Sequence, residues 1–224
     1  MNRYILGFSK LGYTKYTSHL DLLRLFKRGF KRTGILLEHS HGFNPHPKMG
    51  FAQPLSLGYT STCEIIEFET VENFEPEEIL KRMKSILPDG IEASCCRRFD
   101  ENIKSLAAIV TAAEYKVTFP LKSDYCDFKT LVKDYLDQDE ITAMKKKKKT
   151  KKMVEVNIKD KIRKIDVLPE EMFTLRLYVD CGSISNLSPE LVISSFLEFT
   201  DLPVKRYDID VERTSMEFGK NFHI

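Results

Sequence analysis

The chain has 224 residues, of which 42% are hydrophobic, so it can bury a core as one large domain or as two small ones. No stretch approaches the roughly 20 apolar residues of a membrane span, and the first ten residues lack the apolar run of a signal peptide. The five cysteines are odd in number and form no CxxC pair, so neither a disulfide framework nor a zinc ribbon is indicated. The composition predicts a cytoplasmic globular protein with reduced thiols.

Positive charge is concentrated in two segments of a chain whose net charge is only +2. Residues 1–48 hold nine Lys or Arg against two Asp or Glu, and residues 145–152 hold seven lysines and no acid. Since each segment has an excess of seven positive charges, the rest of the chain carries −12. Such clusters favour a polyanionic partner such as RNA, because phosphate neutralisation releases counterions. A lysine run can equally be a solvated loop.

The first half of the chain predicts a βαββαβ order, which is the order of the ferredoxin-like fold. Its elements are strand 4–8, helix 18–33, strands 49–57 and 63–71 joined as a hairpin, helix 76–86 and strand 91–97. Pro76 suits the first position of its helix, and Pro88 marks the end of that helix.

The first predicted helix has a cap at its start and two different faces. Ser18 is placed to cap the helix, and the carboxylate of Asp21 reaches back from the third helical position. The residues that recur every three or four positions, and are predicted to be buried, are Leu22, Phe26, Gly29, Phe30 and Thr33. The remaining surface carries Arg24, Lys27, Arg28, Lys31 and Arg32. One face is therefore predicted to pack and the other to meet an anion.

The same order recurs in the second half, after a short helical bridge over 103–113. Its elements are strand 114–119, helix 126–136, strands 140–146, 153–158 and 172–180, helix 189–199 and strand 204–212, with residues 160–169 as an insertion. The final helix of each half starts with Pro and ends in Leu-Pro, although proline is common at such positions. The sequence thus predicts an α+β protein of two ferredoxin-like halves in tandem, with antiparallel sheets and helices on one face. The predicted domains are 1–100 and 114–224, with 101–113 as the bridge.

The lysine run is predicted to form the tip of a hairpin in the second half. Its central residues, 147–151, would turn between two strands and project into solvent. A projecting basic hairpin can lie along a nucleic-acid backbone, or it can keep a strand edge from pairing with other chains.

The loop over 40–48 is stiff and polar. Pro45 and Pro47 each fix their own φ and push the preceding residue toward extended geometry, so Asn44 and His46 are presented rigidly. Stiffness lowers the entropy lost on binding. Together with Lys48, these side chains could form a specific binding site, or the loop could be a structural turn.

Four of the five histidines, His19, His39, His41 and His46, lie between the start of the first helix and this loop. His39 and His41 would share one face of an extended segment, which allows a metal site if His19 or His46 joins them. His19 or His46 could also serve a ribonuclease as a general acid or base. The chain has no HExxH, GxSxG, P-loop or GxGxxG motif to support catalysis.

Four segments carry a resemblance to a known family: Tyr16-Thr17-Ser18-His19-Leu20-Asp21, Gly42-Phe43-Asn44-Pro45-His46-Pro47-Lys48, Phe51-Ala52-Gln53-Pro54-Leu55-Ser56-Leu57-Gly58 and Leu87-Pro88-Asp89-Gly90-Ile91. Over nearly its whole length the chain resembles the radical SAM-associated domain of unknown function, which in bacteria is fused to, or encoded beside, radical SAM proteins. The chain lacks the CxxxCxxC spacing of a radical SAM cluster. The resemblance therefore implies a partner protein that carries the 4Fe-4S cluster and S-adenosylmethionine, while this chain binds neither.

These observations predict a non-catalytic accessory module that binds RNA and works with a radical SAM enzyme in RNA modification. The predicted RNA-binding residues are Ser18, His19, Asp21, Arg24, Lys27, Arg28, Lys31, Asn44, His46, Lys48, Lys147, Lys148, Lys149 and Lys151. Asn44 or His46 is expected within reach of His19 or the Ser18 cap, forming one phosphate pocket. The alternatives are a module that docks only the radical SAM protein, and an RNA-processing enzyme that uses His19 and His46.

Overall fold

A computed structural model describes residues 2–99, 105–147, 150–219 and 222 as a mixed α+β protein with mostly antiparallel strands. The strands are β1 Asn2–Lys10, β2 Met49–Phe51, β3 Thr60–Thr70, β4 Ile91–Arg98, β5 Val110–Lys122, β6 Thr142–Lys146, β7 Met153–Asn157, β8 Ile162–Leu168, β9 Met172–Asp180 and β10 Asp210–Phe218. The helices are α1 His19–Arg32, α2 Pro76–Lys84, α3 Leu106–Ile109, α4 Phe128–Asp137 and α5 Pro189–Thr200. Across the described ranges, none of these helices has the length and apolar character needed to cross a membrane.

The chain divides into two compact units. The first unit comprises Met1–Val110 with Phe218–Ile224, and the second comprises Thr111–Glu217. The division into domains at 1–100 and 114–224 stays a prediction.

In the first unit, the strands lie in the order β4-β1-β3, and β2 pairs with β3. The strand β1 is antiparallel to β3, with Asn2 opposite Thr70 at one end and Lys10 opposite Ser61 at the other. Both α1 and α2 contribute to a single core with the strands, so they cover one face of the sheet. The rings of Phe8 and Phe26 in this core are 4.8 Å apart.

The predicted faces of α1 are confirmed. Its buried residues are Leu22, Phe26, Gly29 and Phe30. Thr33 is half-buried and caps the C-terminus, where its hydroxyl donates to the carbonyl oxygens of Gly29 and Phe30. Gly29 faces the end of α2, since a Cβ at this position would lie 2.7 Å from Ile86 Cδ1 and 3.2 Å from Met83 Cε. The absence of a side chain at Gly29 thus allows close packing of α1.

In the second unit, the strands lie in the order β10-β5-β9-β8. The core is aromatic, with Phe128 of α4 stacked on Phe173 of β9 at 3.6 Å between ring centroids. Phe196 of α5 joins the same core through Phe119 of β5. A separate two-stranded sheet is formed by β6 and β7.

The predicted insertion over 160–169 is wrong, because most of it is strand β8. This strand pairs antiparallel with β9, placing Lys164 opposite Tyr178 and Asp166 opposite Arg176. Arg176 also forms an ion pair with Asp166 at 2.8 Å. An edge strand of this kind needs few buried residues, so its sequence is polar and its hydrophobic alternation is weak. The β6–β7 hairpin, in contrast, forms its own two-stranded sheet and, in the part of the chain that the structure describes, does not pair with β10, β5, β9 or β8.

Three predicted boundaries are corrected. β2 ends at Phe51 instead of 57, because Pro54 has no N–H to donate to a neighbouring strand. β5 begins at Val110, so the bridge is helical only over Leu106–Ile109 among its described residues. β10 begins at Asp210 instead of 204, after a 3₁₀ turn in which Arg206 is held by Glu190 at 2.7 Å.

Candidate nucleic-acid interface

The start of α1 is organised by three polar side chains. The backbone N–H of Asp21 donates to Ser18 Oγ at 3.2 Å, which confirms Ser18 as the N-cap. The Ser18 hydroxyl donates in turn to the Asp21 carboxylate at 2.7 Å, and Arg24 donates to the same carboxylate at 2.8 Å. These two hydrogen bonds hold the pKa of Asp21 below its ordinary value of 3.8. Arg24 is therefore paired, and the helix start is ordered.

The outer face of α1 is cationic, and most of its positive charges form no ion pair within the described residues. Its charged side chains, all exposed, are Arg24, Lys27, Arg28, Lys31 and Arg32. At 100° per residue they cover an arc of about 140° on a helix about 21 Å long. Arg24 is the paired one. Within the described residues, the other four, Lys27, Arg28, Lys31 and Arg32, take part in no ion pair. The face thus presents net positive charge to solvent, and we call it the α1 cationic face.

Three arginines of this face line a groove of about 410 Å³. We call it the arginine groove; its lining residues are Thr17, Asp21, Arg24, Leu25, Arg28, Gly29, Arg32, Ile86 and Pro88. Of these, Gly29 is buried, and Leu25 and Ile86 are half-buried. The groove therefore combines guanidinium groups with an apolar base.

The two lysines of the α1 cationic face lie beside a different pocket of about 310 Å³. Its other lining residues are Phe30, Ile35, Leu36, Leu37, His39 and Pro47. Since His39 and Pro47 flank the 41–46 loop, that loop lies next to the C-terminal half of α1.

The 41–46 loop is closed by two hydrogen bonds between Ser40 and His46 and is exposed throughout. The N–H of Ser40 donates to the His46 carbonyl at 2.8 Å, and the N–H of His46 donates to Ser40 Oγ at 3.0 Å. Gly42 has a φ of +129°, a conformation that other residues rarely adopt. Phe43 is fully exposed at the tip. The rigid presentation of Asn44 and His46 stays a prediction.

The expected convergence of this loop with the helix cap is wrong. The flanks of the loop are anchored near the Asn2 end of the first sheet, because the N–H of Glu38 donates to the Glu69 carbonyl at 2.9 Å. The Ser18 cap lies near the opposite end, where the side chain of Lys10 donates to the Thr17 carbonyl at 3.1 Å. Glu69 and Ser61, which mark the two ends on β3, are eight residues and so about 26 Å apart.

His19 is consequently separated from His46, and the RNA-processing alternative, which uses these histidines, stays a prediction. The His19 ring packs edge-on against Phe51 at 5.3 Å, and burial lowers the pKa of His19 below its ordinary value of 6.5. Across the described residues, no group of three or more His, Cys, Asp or Glu side chains is placed to hold a metal ion.

Lys48 is already paired within the protein. Its Nζ lies 2.7 Å from Glu69 Oε2, and this hydrogen bond raises the pKa of Lys48 above its ordinary value of 10.5. Its charge is therefore compensated, unlike the charges of Lys27 and Lys31.

As predicted, β6 and β7 pair as a hairpin, with Lys146 opposite Met153. Lys147 and Lys151 are exposed, and the N–H of Lys151 donates to the Lys147 carbonyl at 2.9 Å. Lys148 and Lys149 lie outside the described residues. Whether the tip contacts RNA stays a prediction.

The sequence-based site omitted two exposed aromatic residues. Tyr13 and Tyr16 lie in the 3₁₀ turn over Gly12–Tyr16, with 93% and 63% of their surface exposed, and lead directly into the groove residue Thr17. The Nζ of Lys15 lies 5.5 Å from the centre of the Tyr16 ring. Aromatic residues interleaved with a lysine just before a basic helix could have drawn attention to this segment. Arg32, which also lines the groove, was not among the predicted binding residues.

A family model described as an uncharacterized protein conserved in bacteria (DUF2344) matches residues 3–189. The chain belongs to this family. The matched range includes α1, the 41–46 loop and the β6–β7 hairpin, while the family description names no partner and no activity.

A comparison with curated proteins gave no match. Among solved structures, the chain is similar to one in the "Crystal Structure of a Cbf5-Nop10-Gar1 Complex", with 12% identity and a TM-score of 0.49. The similarity covers 97% of this chain and 50% of that one, so the chain spans about half the length of the solved chain.

Proposed function

We propose that this protein binds RNA through the α1 cationic face as a non-catalytic accessory module. The observation that carries the proposal is that Lys27, Arg28, Lys31 and Arg32 are exposed on one face without an ion pair among the described residues. Cations that are not neutralised within the protein are available to phosphates, and each phosphate neutralised releases bound counterions. The helix is long enough, at about 21 Å, to contact several successive nucleotides.

Two further regions would contribute to this binding. Asn44 and His46 are exposed in the loop beside Lys27 and Lys31, where an amide and an imidazole can meet base edges. The lysine hairpin would add affinity that does not depend on sequence.

Each unit is proposed to be a ferredoxin-like half. Support comes from the chain order βαββαβ in the first unit and from its strand order β4-β1-β3-β2. The second unit has the matching strand order β10-β5-β9-β8, with the β6–β7 hairpin inserted after α4.

The proposed partner is a radical SAM protein, which would hold the 4Fe-4S cluster and S-adenosylmethionine. Support for this partner comes from the family resemblance of the sequence and from the lack of a CxxxCxxC motif in the chain. The accessory role would then be to bring RNA to that enzyme for modification.

RNA binding is tested by the double variant Lys27→Gln/Lys31→Gln, measured by fluorescence anisotropy with labelled RNA across a salt series. Loss of two phosphate contacts should weaken binding about tenfold or more at about 0.1 M salt and reduce the salt slope by about 1.4. The control is Lys129→Gln/Lys133→Gln, which removes two exposed lysines with the same spacing from α4. Equal affinities for the wild type and the α1 variant would contradict the proposal.

Docking to protein alone is tested separately by co-purification with the radical SAM protein, with and without nuclease treatment. A complex that nuclease leaves intact and that the α1 variant abolishes would show that the α1 cationic face binds protein. A complex lost on nuclease treatment would show an RNA bridge.

A further inference from the structure

We infer that the arginine groove binds an unpaired stretch of RNA, with phosphates on its arginines and a base against its apolar lining. The inference rests on the proposed RNA-binding function and adds the class of RNA that the site takes.

The cationic groups of the groove are all arginines, of which Arg24 is paired with the lining acid Asp21, whereas the lysines of α1 line the other pocket. Arg24, Arg28 and Arg32 are spaced four residues apart, so their Cα atoms rise by about 6 Å from one to the next. A guanidinium is a planar fork that can bind one phosphate through two parallel hydrogen bonds, and its flat face can stack on a base. The groove therefore offers oriented contacts, while the lysines offer point charges.

The base of the groove suits the face of an unpaired base. Leu25, Gly29 and Ile86 contribute apolar surface, and the close approach at Gly29 keeps Ile86 next to α1. In a duplex the bases are stacked and paired, so their faces are covered and α1 could reach only phosphates, sugars and base edges. Duplex RNA would leave the apolar lining unused.

The exposed tyrosines supply a separate observation in favour of unpaired RNA. Tyr16 precedes Thr17, which lines the groove, and Tyr13 is one turn earlier in the same 3₁₀ helix. Both rings are mostly exposed, which leaves the Tyr13 ring and the face of Tyr16 away from Lys15 accessible to a base. Stacking of bases on aromatic rings is characteristic of proteins that bind single strands. An acidic peptide would use the arginines but would have no need for exposed rings.

The test compares three ligands by anisotropy with the full-length protein: an unpaired RNA of about 12 nucleotides, the same strand annealed to its complement, and poly-glutamate of similar charge. The wild type should bind the single strand about tenfold more tightly than the duplex. Poly-glutamate should compete much less well than the single strand.

Two variants of α1 test whether the preference for single-stranded over duplex RNA comes from the arginine groove. Arg28→Lys keeps the positive charge but removes the planar guanidinium. The preference for the single strand over the duplex should therefore fall to about threefold or less, while the salt slope stays unchanged. Lys27→Gln removes one charge outside the groove, so it should weaken both RNA ligands about fivefold and leave their ratio unchanged.

The outcomes separate the inference from the proposed function. Duplex binding equal to or tighter than single-strand binding would overturn the inference and leave RNA binding in place. Competition by poly-glutamate as strong as that by RNA would assign the groove to an acidic peptide instead. Failure to bind either RNA would overturn the proposed function, and the inference with it.

Discussion

Ser18 connects the start of α1 to the cationic surface that follows it. Its hydroxyl accepts from the Asp21 backbone and donates to the Asp21 carboxylate, which in turn pairs with Arg24. One serine therefore satisfies a free N–H group of the helix and orients the acid that holds the first arginine of the groove.

Replacing Ser18 by alanine should lower the free energy of unfolding by about 1 kcal/mol, because the N-cap hydrogen bond is lost. The measurement is urea denaturation followed by circular dichroism at neutral pH. Ser188→Ala is the matched control, since Ser188 is the N-cap of α5 but its side chain forms no capping hydrogen bond. Equal losses in the two variants would show that the Ser18 hydrogen bond adds no stability.

At the scale of the element, α1 divides its surface between packing and charge. Phe26 and Phe30 lie in the core of the first unit, while the lysines and arginines occupy the opposite side. Gly29 lies between these two regions, where α1 meets Ile86 and Met83. Both the packing of the helix and the shape of the arginine groove depend on this small residue.

Gly29→Leu should destabilise the protein by about 1–3 kcal/mol, because the added side chain must displace Ile86 and Met83 from a packed site. Thermal and urea unfolding would measure the loss. Lys27→Leu is the control, because it adds the same side chain at an exposed position of the same helix and should change stability by no more than about 0.5 kcal/mol. A stable Gly29→Leu protein would mean that the contact at Gly29 adapts without cost.

At the scale of the whole molecule, cationic surface is present in both units. The α1 cationic face belongs to the first unit, and the lysine hairpin belongs to the second. Because the remainder of the chain carries a net charge of −12, the two cationic regions contrast with an acidic background. If both regions contact one RNA, their contributions to the salt dependence should add.

Lys147→Gln/Lys151→Gln should make the salt slope of RNA binding shallower by about 1.4, since two phosphate contacts of a single strand are removed. The preference for unpaired over duplex RNA should be unchanged, because the arginine groove is intact. Anisotropy titrations at several salt concentrations measure both quantities. An unchanged slope would restrict RNA binding to the first unit.

The sequence alone determined those features that depend on neighbouring residues. Ser18 caps α1 at the predicted position, and the two faces of this helix follow from a period of 3.6 residues. β9 has the predicted bounds, Met172–Asp180, and β6 and β7 pair as the predicted hairpin. Caps, periodicity and turns are local, so one sequence is sufficient to find them.

Tertiary structure decided the features that depend on distant partners. β8 is a strand because it pairs with β9, and the 41–46 loop departs from the Ser18 cap because Glu38 bonds to Glu69 at the other end of β3. The arginine groove requires Ile86 and Pro88, which are more than fifty residues beyond its arginines. Hydrogen bonding and packing between distant segments choose among many arrangements that local patterns allow, so these features emerged only from the folded chain.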